Sequence, residues 1–411
     1  MQTNVSIAEG VYLIGVNDRR TALFENIWPI PYGVSYNSYL IRDDKCALLD
    51  TVEFGSEGAY LDRIEEILGE RELDYLVVNH MEPDHSGEIG TVLKRYPSVK
   101  LIGNAMTRKI LLGYTGDLGD RFMEVKDGDS LSLGKHTLHF YMTPWVHWPE
   151  TMMTYESTEK ILFSADAFGT FGATDGAMTD ALTDLAEYRE EMRRYYSNIV
   201  GKYGGMVQKA LAKLSSLDVK TLCSLHGPVW SRQAGEVIGL YDKWSRCEAD
   251  EEAVIIYASM YNNTAHMANH IADRMAERGV TGVKVYDVSK THLSYLISEI
   301  WRCRYVMLGS CAYNADMFPL MELLCNSMLH YGLKNRELAI FGSCSFGGGG
   351  VRSLRKFAEA SGWELMCEPV EVTAPVDVLR RGGVDGVLAA VSDDLTVRAA
   401  QALTLQGEEL L

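Results

Sequence analysis

The chain has 411 residues, of which 47% are hydrophobic and 23% charged. That length predicts two or three domains, and the composition is that of a globular chain, so disorder is not the default. A net charge of −17 argues against nucleic acid as a partner, and no apolar run approaches the roughly 20 residues of a membrane span. The first residues lack the basic-then-apolar pattern of a secretory signal. Eight cysteines are scattered without a C-x-x-C pair, which speaks against a structural zinc ribbon and fits reduced thiols in the cytoplasm.

In chain order, Val11–Ile14, Ser38–Ile41 and Cys46–Asp50 read as strands, Gly58–Gly69 as an amphipathic helix, and Leu73–Val78 as a buried strand. That strand runs directly into Asn79-His80-Met81-Glu82-Pro83-Asp84-His85-Ser86-Gly87. A turn behind a buried strand points several side chains at one small volume, and the H-x-E-x-D-H register supplies imidazoles and carboxylates to bind metal there. Thr137–Tyr141, Met152–Tyr155 and Lys160–Ser164 continue the strand pattern, and Asp180–Leu214 reads as helical. Further donors sit at strand tips: His147 in Thr143–Trp148, Asp166 after Ile161–Ser164, and His226 in Leu222–Gly227. Seven ligands with Asp166 as a bridge suit two neighbouring metals rather than one. Asp50, at the end of its strand, is expected to orient a ligand imidazole. Trp148, Tyr195 and Tyr196 are expected to wall a substrate pocket.

The stretch Ser245–Glu252 is polar and acidic and reads as a junction between a domain at 1–248 and one at 249–411. Beyond it, Ala253–Ser259, Val283–Val288, Tyr305–Ser310, Leu338–Ser343 and Trp363–Met366 read as strands separated by helices, the first of these at Thr264–Arg278. That alternation predicts an α/β fold with a doubly wound parallel sheet. The turn Ser259-Met260-Tyr261-Asn262-Asn263-Thr264 opens a helix. Its hydroxyls and the free N–H groups of the helix start form a cradle for phosphate. No G-x-G-x-x-G follows the first strand, so a dinucleotide is not indicated. Two more loops, Ser310-Cys311-Ala312-Tyr313-Asn314 and Ser345-Phe346-Gly347-Gly348, follow strands on the same edge, where such sheets bind ligands. Glycines let backbone approach a flat ring, and Phe346 can stack on it.

The ligand order resembles that of the metallo-β-lactamase fold, H-x-H-x-D-H followed by His, Asp and His, with Glu82 in place of the second His. An oxygen donor there suits a harder metal, iron better than zinc. Together with the flavodoxin-like turn, which carries Asn262 where Gly is usual, essentially the whole chain resembles the flavodiiron proteins. The resemblance implies a metallo-β-lactamase-like αββα sandwich followed by a flavodoxin-like sheet. It implies two irons, one on His80, Glu82 and His147, the other on Asp84, His85 and His226, with Asp166 bridging. It implies FMN at 259–264, 310–314 and 345–348, although Phe346 and Cys344 stand where relatives often carry Trp and Tyr. The implied reaction is reduction of O2 to water, of NO to N2O, or both. The implied partners are a second copy in a head-to-tail homodimer or dimer of dimers, and rubredoxin, another external donor or a reduced deazaflavin as electron source. Two other readings are a zinc-dependent metallo-β-lactamase-type hydrolase with an accessory flavodoxin domain, and an electron-carrying flavoprotein with a vestigial metal domain. Glu82 and the complete set of flavin loops speak against the first, and the full ligand set against the second. Metal analysis separates all three.

Overall fold

A computed structural model of the chain describes residues 5–174, 179–180, 185–280 and 282–373; the expected second domain continues past these to 411. The chain divides into two compact units, Met1–Arg246 and Cys247–Leu411. Among the described residues no helix is long and apolar enough to cross a membrane.

The first unit is built on two mixed sheets. One runs in the order Val5–Ala8, Val11–Leu13, Tyr39–Ile41, Ala47–Leu49, Tyr75–Val77, Lys100–Gly103 and Phe122–Glu124; the other runs Ser130–Ser132, Thr137–Met142, Met152–Glu156, Ile161–Phe163 and Thr221–Cys223. Side chains alternate faces along a strand. Leu49, Val77 and Ile102 of the first sheet therefore join Leu138, Phe140, Ile161 and Phe163 of the second in one shared core. Leu48, Leu76 and Leu101 point the other way and are equally buried, which requires helical cover on the outer face. The helices Glu57–Leu68 and Ala105–Thr115 interleave with these strands in sequence, and the former buries Tyr60 and Ile64 completely. This is the expected αββα sandwich. Its strands Ala47–Leu49, Tyr75–Val77, Ile161–Phe163 and Thr221–Cys223 all end in loops carrying candidate ligands or their supports.

Three local expectations need correction. The helical stretch expected over Asp180–Leu214 is broken within its described part: Leu185–Tyr195 is α-helical, Tyr196–Val200 is a π-turn, Gly201–Tyr203 is 3-10, and a new helix spans Gly204–Leu214. Gly204 fits against the backbone of Ser245, where an added Cβ would meet Ser245 O at 2.7 Å, so close packing decides that break. The acidic junction is not a linker throughout, because the next strand begins at Asp250. There Glu251 pairs with Arg304 at 2.7 Å and Glu252 pairs with Arg302. Lys100–Gly103 and Phe122–Glu124 were not expected as strands; they extend the first sheet in parallel.

The second unit is a parallel sheet in the order Lys284–Asp287, Asp250–Ala258, Cys303–Tyr313, Glu337–Cys344, with Glu364–Leu365 and Val370–Thr373 both pairing the last of these. The chain-order pattern is two, one, three, four, five, that of a flavodoxin-like sheet, with its switch point between the first and third strands. Ile255, Met307, Ala339 and Phe341 form one side of its core with Met267 and Ile271 of the helix Asn263–Glu277.

Candidate functional site

Local sequence sets up the first ligands. Pro83 starts a single helical turn, Pro83–Ser86, a position at which its missing N–H costs nothing. The residue before it, Glu82, keeps extended backbone, so its side chain leaves in a different direction from those of Asp84 and His85. Gly87 ends the turn against the segment Val52–Phe54, where an added Cβ would lie 2.5 Å from Phe54 N.

Seven side chains from four loops converge on two adjacent groups. His80, Glu82, His147 and Asp166 form one, and Asp84, His85 and His226 the other; within each, the donor atoms lie inside 4.8 Å of one another. In the first group Glu82 Oε2 is 3.2 Å from His80 Nε2 and 3.0 Å from His147 Nε2. In the second, Asp84 Oδ2 is 3.3 Å from the Nε2 atoms of both His85 and His226. Asp166 serves both groups. Its Oδ2 lies 2.9 Å from His147 Nε2 and 3.5 Å from His80 Nε2, while its Oδ1 lies 3.2 Å from His85 Nε2.

These donors fit metal better than they fit each other. His85 Nε2 and His226 Nε2 face one another at 2.9 Å, and only one proton can occupy that gap. Both oxygens of Asp84, Oδ1 of Asp166 and Nδ1 of His85 are buried without a hydrogen-bond partner among the described residues. Buried lone pairs left unsatisfied are costly unless a cation takes them. Three carboxylates and four imidazoles at one locus suit a pair of multivalent cations.

The same crowding shapes the protonation of the side chains. Burial alone would lower the imidazole of His80, yet the carboxylates of Asp166, Glu150 and Glu82 override it and raise it well above the usual histidine value. His147 is pushed up to about 9 in the same way, against its burial, by Asp166 and Glu82. Asp166 moves oppositely: burial would raise it, but His80, His85 and His147 hold it well below the ordinary carboxylate range.

Supporting contacts fix which ring nitrogen faces the centre. His80 Nδ1 lies 3.0 Å from Glu150 Oε1, which also accepts from Met81 N at 2.8 Å. His226 Nδ1 donates to Ser35 O at 2.8 Å. Both leave Nε2 free to coordinate. Asp50 acts differently from the expectation. It touches no imidazole; its Oδ1 accepts from the backbone N–H groups of Asn79 and His80, and its Oδ2 accepts from Asn79 Nδ2. It therefore sets the backbone that carries His80. Glu150 and Ser35 escaped sequence reading, since neither belongs to a motif and each meets its histidine only after folding.

Trp148 lies edge-on to His80, with ring centroids 5.5 Å apart, and Tyr195 lies 5.3 Å from His226 with its hydroxyl buried and unpartnered among the described residues. Tyr196 does not join them. It packs 4.9 Å from Tyr241 and 5.4 Å from Trp244 in the core, because neighbours on a helix leave its axis about 100° apart. A hairpin of Leu23–Phe24 and Trp28–Pro29, also unforeseen, completes the wall. Phe24 lies 5.3 Å from His226, and Glu25 is pinned by Trp28 Nε1 at 2.9 Å. Glu25 reaches Glu82, and crowding followed by that neighbouring carboxylate pushes its carboxyl up to about 7.

In the second unit a cavity of about 460 Å³ opens at the carboxyl edge of the sheet. Ser259, Met260, Tyr261, Asn263, Cys311, Ala312, Tyr313, Asn314, Ser345, Phe346, Gly347 and Gly348 line it, and Ala315, Ser343 and Cys344 do so as well. Three of the expected residues do not line it. Thr264 is buried and hydrogen-bonded to Ser343 Oγ at 2.9 Å, Ser310 receives Phe318 N at 2.9 Å, and Asn262 supplies a left-handed turn at φ 68°. Ser259 Oγ is buried with no partner among the described residues, as a phosphate site requires. Tyr261 and Phe346 are 85% and 87% exposed, two large rings whose faces are available to a planar ligand.

Residues 34–227 match the family model of the ODP family beta lactamases, and residues 255–378 match that of the flavodoxins. A nitric oxide reductase of Moorella thermoacetica is 32% identical over 372 residues, spanning 90% of this chain and 93% of that protein. Rubredoxin oxygen:oxidoreductase from the anaerobe Desulfovibrio gigas superposes with a TM-score of 0.89 at 27% identity, covering 97% of this chain and 100% of that one. A flavodiiron protein from Giardia intestinalis shares the fold, with a TM-score of 0.86 at 23% identity over 96% of this chain and 98% of that one.

Proposed function

The chain belongs to the flavodiiron proteins, oxidoreductases that carry FMN and a pair of irons, and from that premise we propose that it reduces O2 to water, NO to N2O, or both. The observation that supports this reading best is Asp166, whose two oxygens face separate groups of donors. A carboxylate so placed would serve both metals of a pair. His80, Glu82 and His147 would hold the first iron, Asp84, His85 and His226 the second. When bound, the irons supply the coordination positions and electrons for the diatomic, and FMN supplies the reducing equivalents.

The chain's own residues do the rest. Glu150 and Ser35 keep His80 and His226 in the tautomer that presents Nε2 to the centre. Glu82 puts an oxygen donor where zinc sites of the sandwich carry an imidazole, which biases the set toward iron. Trp148 beside His80, and Tyr195 with Phe24 beside His226, exclude bulk water, and the unpartnered Tyr195 hydroxyl is a donor near the centre. The flavin would lie in the cavity of the second unit, its phosphate on Ser259 and the helix that opens at Asn263, its ring between Tyr261 and Phe346. Electrons would come from rubredoxin, another external protein or a reduced deazaflavin, in the cytoplasm. A head-to-tail homodimer, or a dimer of dimers, would bring the flavin of one copy to the metals of the other.

Anaerobic reduction followed by stopped-flow mixing with each gas tests this. Reoxidation by O2 or NO much faster than that of free reduced FMN is expected, in protein carrying two irons and one FMN per chain, with dimers or larger in sedimentation. Zinc in place of iron together with ester or thioester hydrolysis would replace the reading with that of a hydrolase.

A further inference from the structure

The seven donors are not equally sealed. The side chains of Glu82, Asp84 and His147 keep 12%, 11% and 8% of their exposure, whereas those of His80, His85, His226 and Asp166 keep at most 1%. One side of the centre is thus a narrow polar mouth. Behind His226 the centre is closed by aromatic rings, and a cleft lies beyond them.

That cleft has a volume of about 230 Å³ and is lined by Arg19, Tyr32, Phe171, Ala173, Glu187 and Tyr188 among others, none of them a candidate ligand. Phe171 reaches it while only 1% exposed. Behind Phe171 stand Tyr195, with centroids 5.1 Å apart, and Phe24, at 5.4 Å, both edge-on. Each of those rings lies 5.3 Å from the imidazole of His226. Two aromatic layers are all that these contacts place between the cleft and a candidate metal ligand. Arg194 lies 4.4 Å over Phe171 and is held by buried Glu191, which also lines the cleft, so a charged pair flanks the outer ring where the cleft meets it.

We propose that Phe171 is the gate through which a small neutral diatomic passes from this cleft, between Phe24 and Tyr195, to the metal centre. The inference rests on the reading of the site as a gas reductase. O2 and NO are small, uncharged and weakly hydrated, so an apolar partition admits them, whereas ions and water lose hydration they cannot regain there. A separate apolar entrance leaves the polar mouth at Glu82 and Asp84 to the electron donor and to protons. Substrate and electrons then need not compete for one opening.

The test uses the holoenzyme carrying F171W, F171A or A173W, the last filling the cleft from outside should F171W fail to fold. The second-order rate constant for reoxidation of the reduced protein at low gas concentration is expected to fall about tenfold in F171W and A173W and to rise about threefold in F171A. Turnover at saturating gas, iron content and FMN content should stay at wild-type levels. Crystals under xenon pressure give a readout independent of turnover. Xenon is expected between Phe171, Phe24 and Tyr195 in the wild type, more strongly in F171A, and not in F171W. Wild-type rate constants in F171W and A173W, or xenon found only at the polar mouth, would overturn the gate. A wild type that reacts with neither gas would sink the reductase reading, while xenon in the partition would still support the path.

Discussion

The two halves of this chain solve the problem of holding a charged cofactor in opposite ways. In the N-terminal half the donors are side chains, mostly buried, drawn from four loops and locked by Glu150, Ser35 and Asp50. In the C-terminal half the cradle is largely backbone and loop, with Ser259 as its buried hydroxyl and two rings left open to solvent. Buried charge must be balanced, so the metal half tolerates little change; a flavin held by backbone N–H groups and ring faces depends on no single side chain. The contrast predicts a wide gap between what substitutions do in the two halves.

The largest effect is expected at Asp166. Asp166→Asn keeps the shape but removes the shared charge, and iron content and gas turnover should fall by more than about 100-fold, beyond what supporting residues command, with FMN retained. Full iron and full turnover in that variant would break the comparison at its centre. Next comes pH. Because His147 is raised to about 9 in the fold against 6.5 for the free side chain, its pairing stabilises metal-free protein fully below about pH 6.5, and that stability is lost as pH rises through about 9. The loss is at most ~3 kcal/mol. Thermal melts of metal-free protein should therefore weaken across that window, whereas iron-loaded protein should be flatter, since metal replaces the proton. Glu150→Ala, which releases the tautomer of His80, should weaken iron binding by roughly 10–100-fold with FMN affinity unmoved. Smallest is Phe346→Ala: loss of one stacking face should weaken FMN by about tenfold or less and leave iron untouched. A Phe346→Ala protein that also lost its iron would show that the halves are not independent.

Much of the metal half was legible because its donors follow strands, and strands announce themselves by apolar runs. The turn after Tyr75–Val77 brings His80 and Glu82 to one group of donors and Asp84 and His85 to the other, and the loops at 147, 166 and 226 supply the rest. What the residues could not show was the company each ligand keeps. Asp50 sits at the expected strand end, but its partners turned out to be the N–H groups of Asn79 and His80, because register between parallel strands brings backbone there and no ring. Tyr195 and Tyr196 are indistinguishable as neighbours in sequence; adjacent helical side chains diverge, and packing sends one to His226 and the other to Tyr241. The acidic run before Ala253 looked solvated until Arg302, at the end of a helix, and Arg304, in the strand that follows it, arrived to pair with it; Arg304 stands 53 residues from Glu251.

Sequence alone determined the set of candidate ligands, most of the strands that carry them, and the glycine and hydroxyl loops of the second sheet, since these follow from motif, periodicity and local turn chemistry. Only the tertiary structure decided which oxygen of Asp166 faces which group of donors, the tautomers set by Glu150 and Ser35, and the aromatic partition of Phe24, Phe171 and Tyr195. Each of those depends on side chains far apart along the chain, and a distance in space between two such atoms exists only after the sheets have packed.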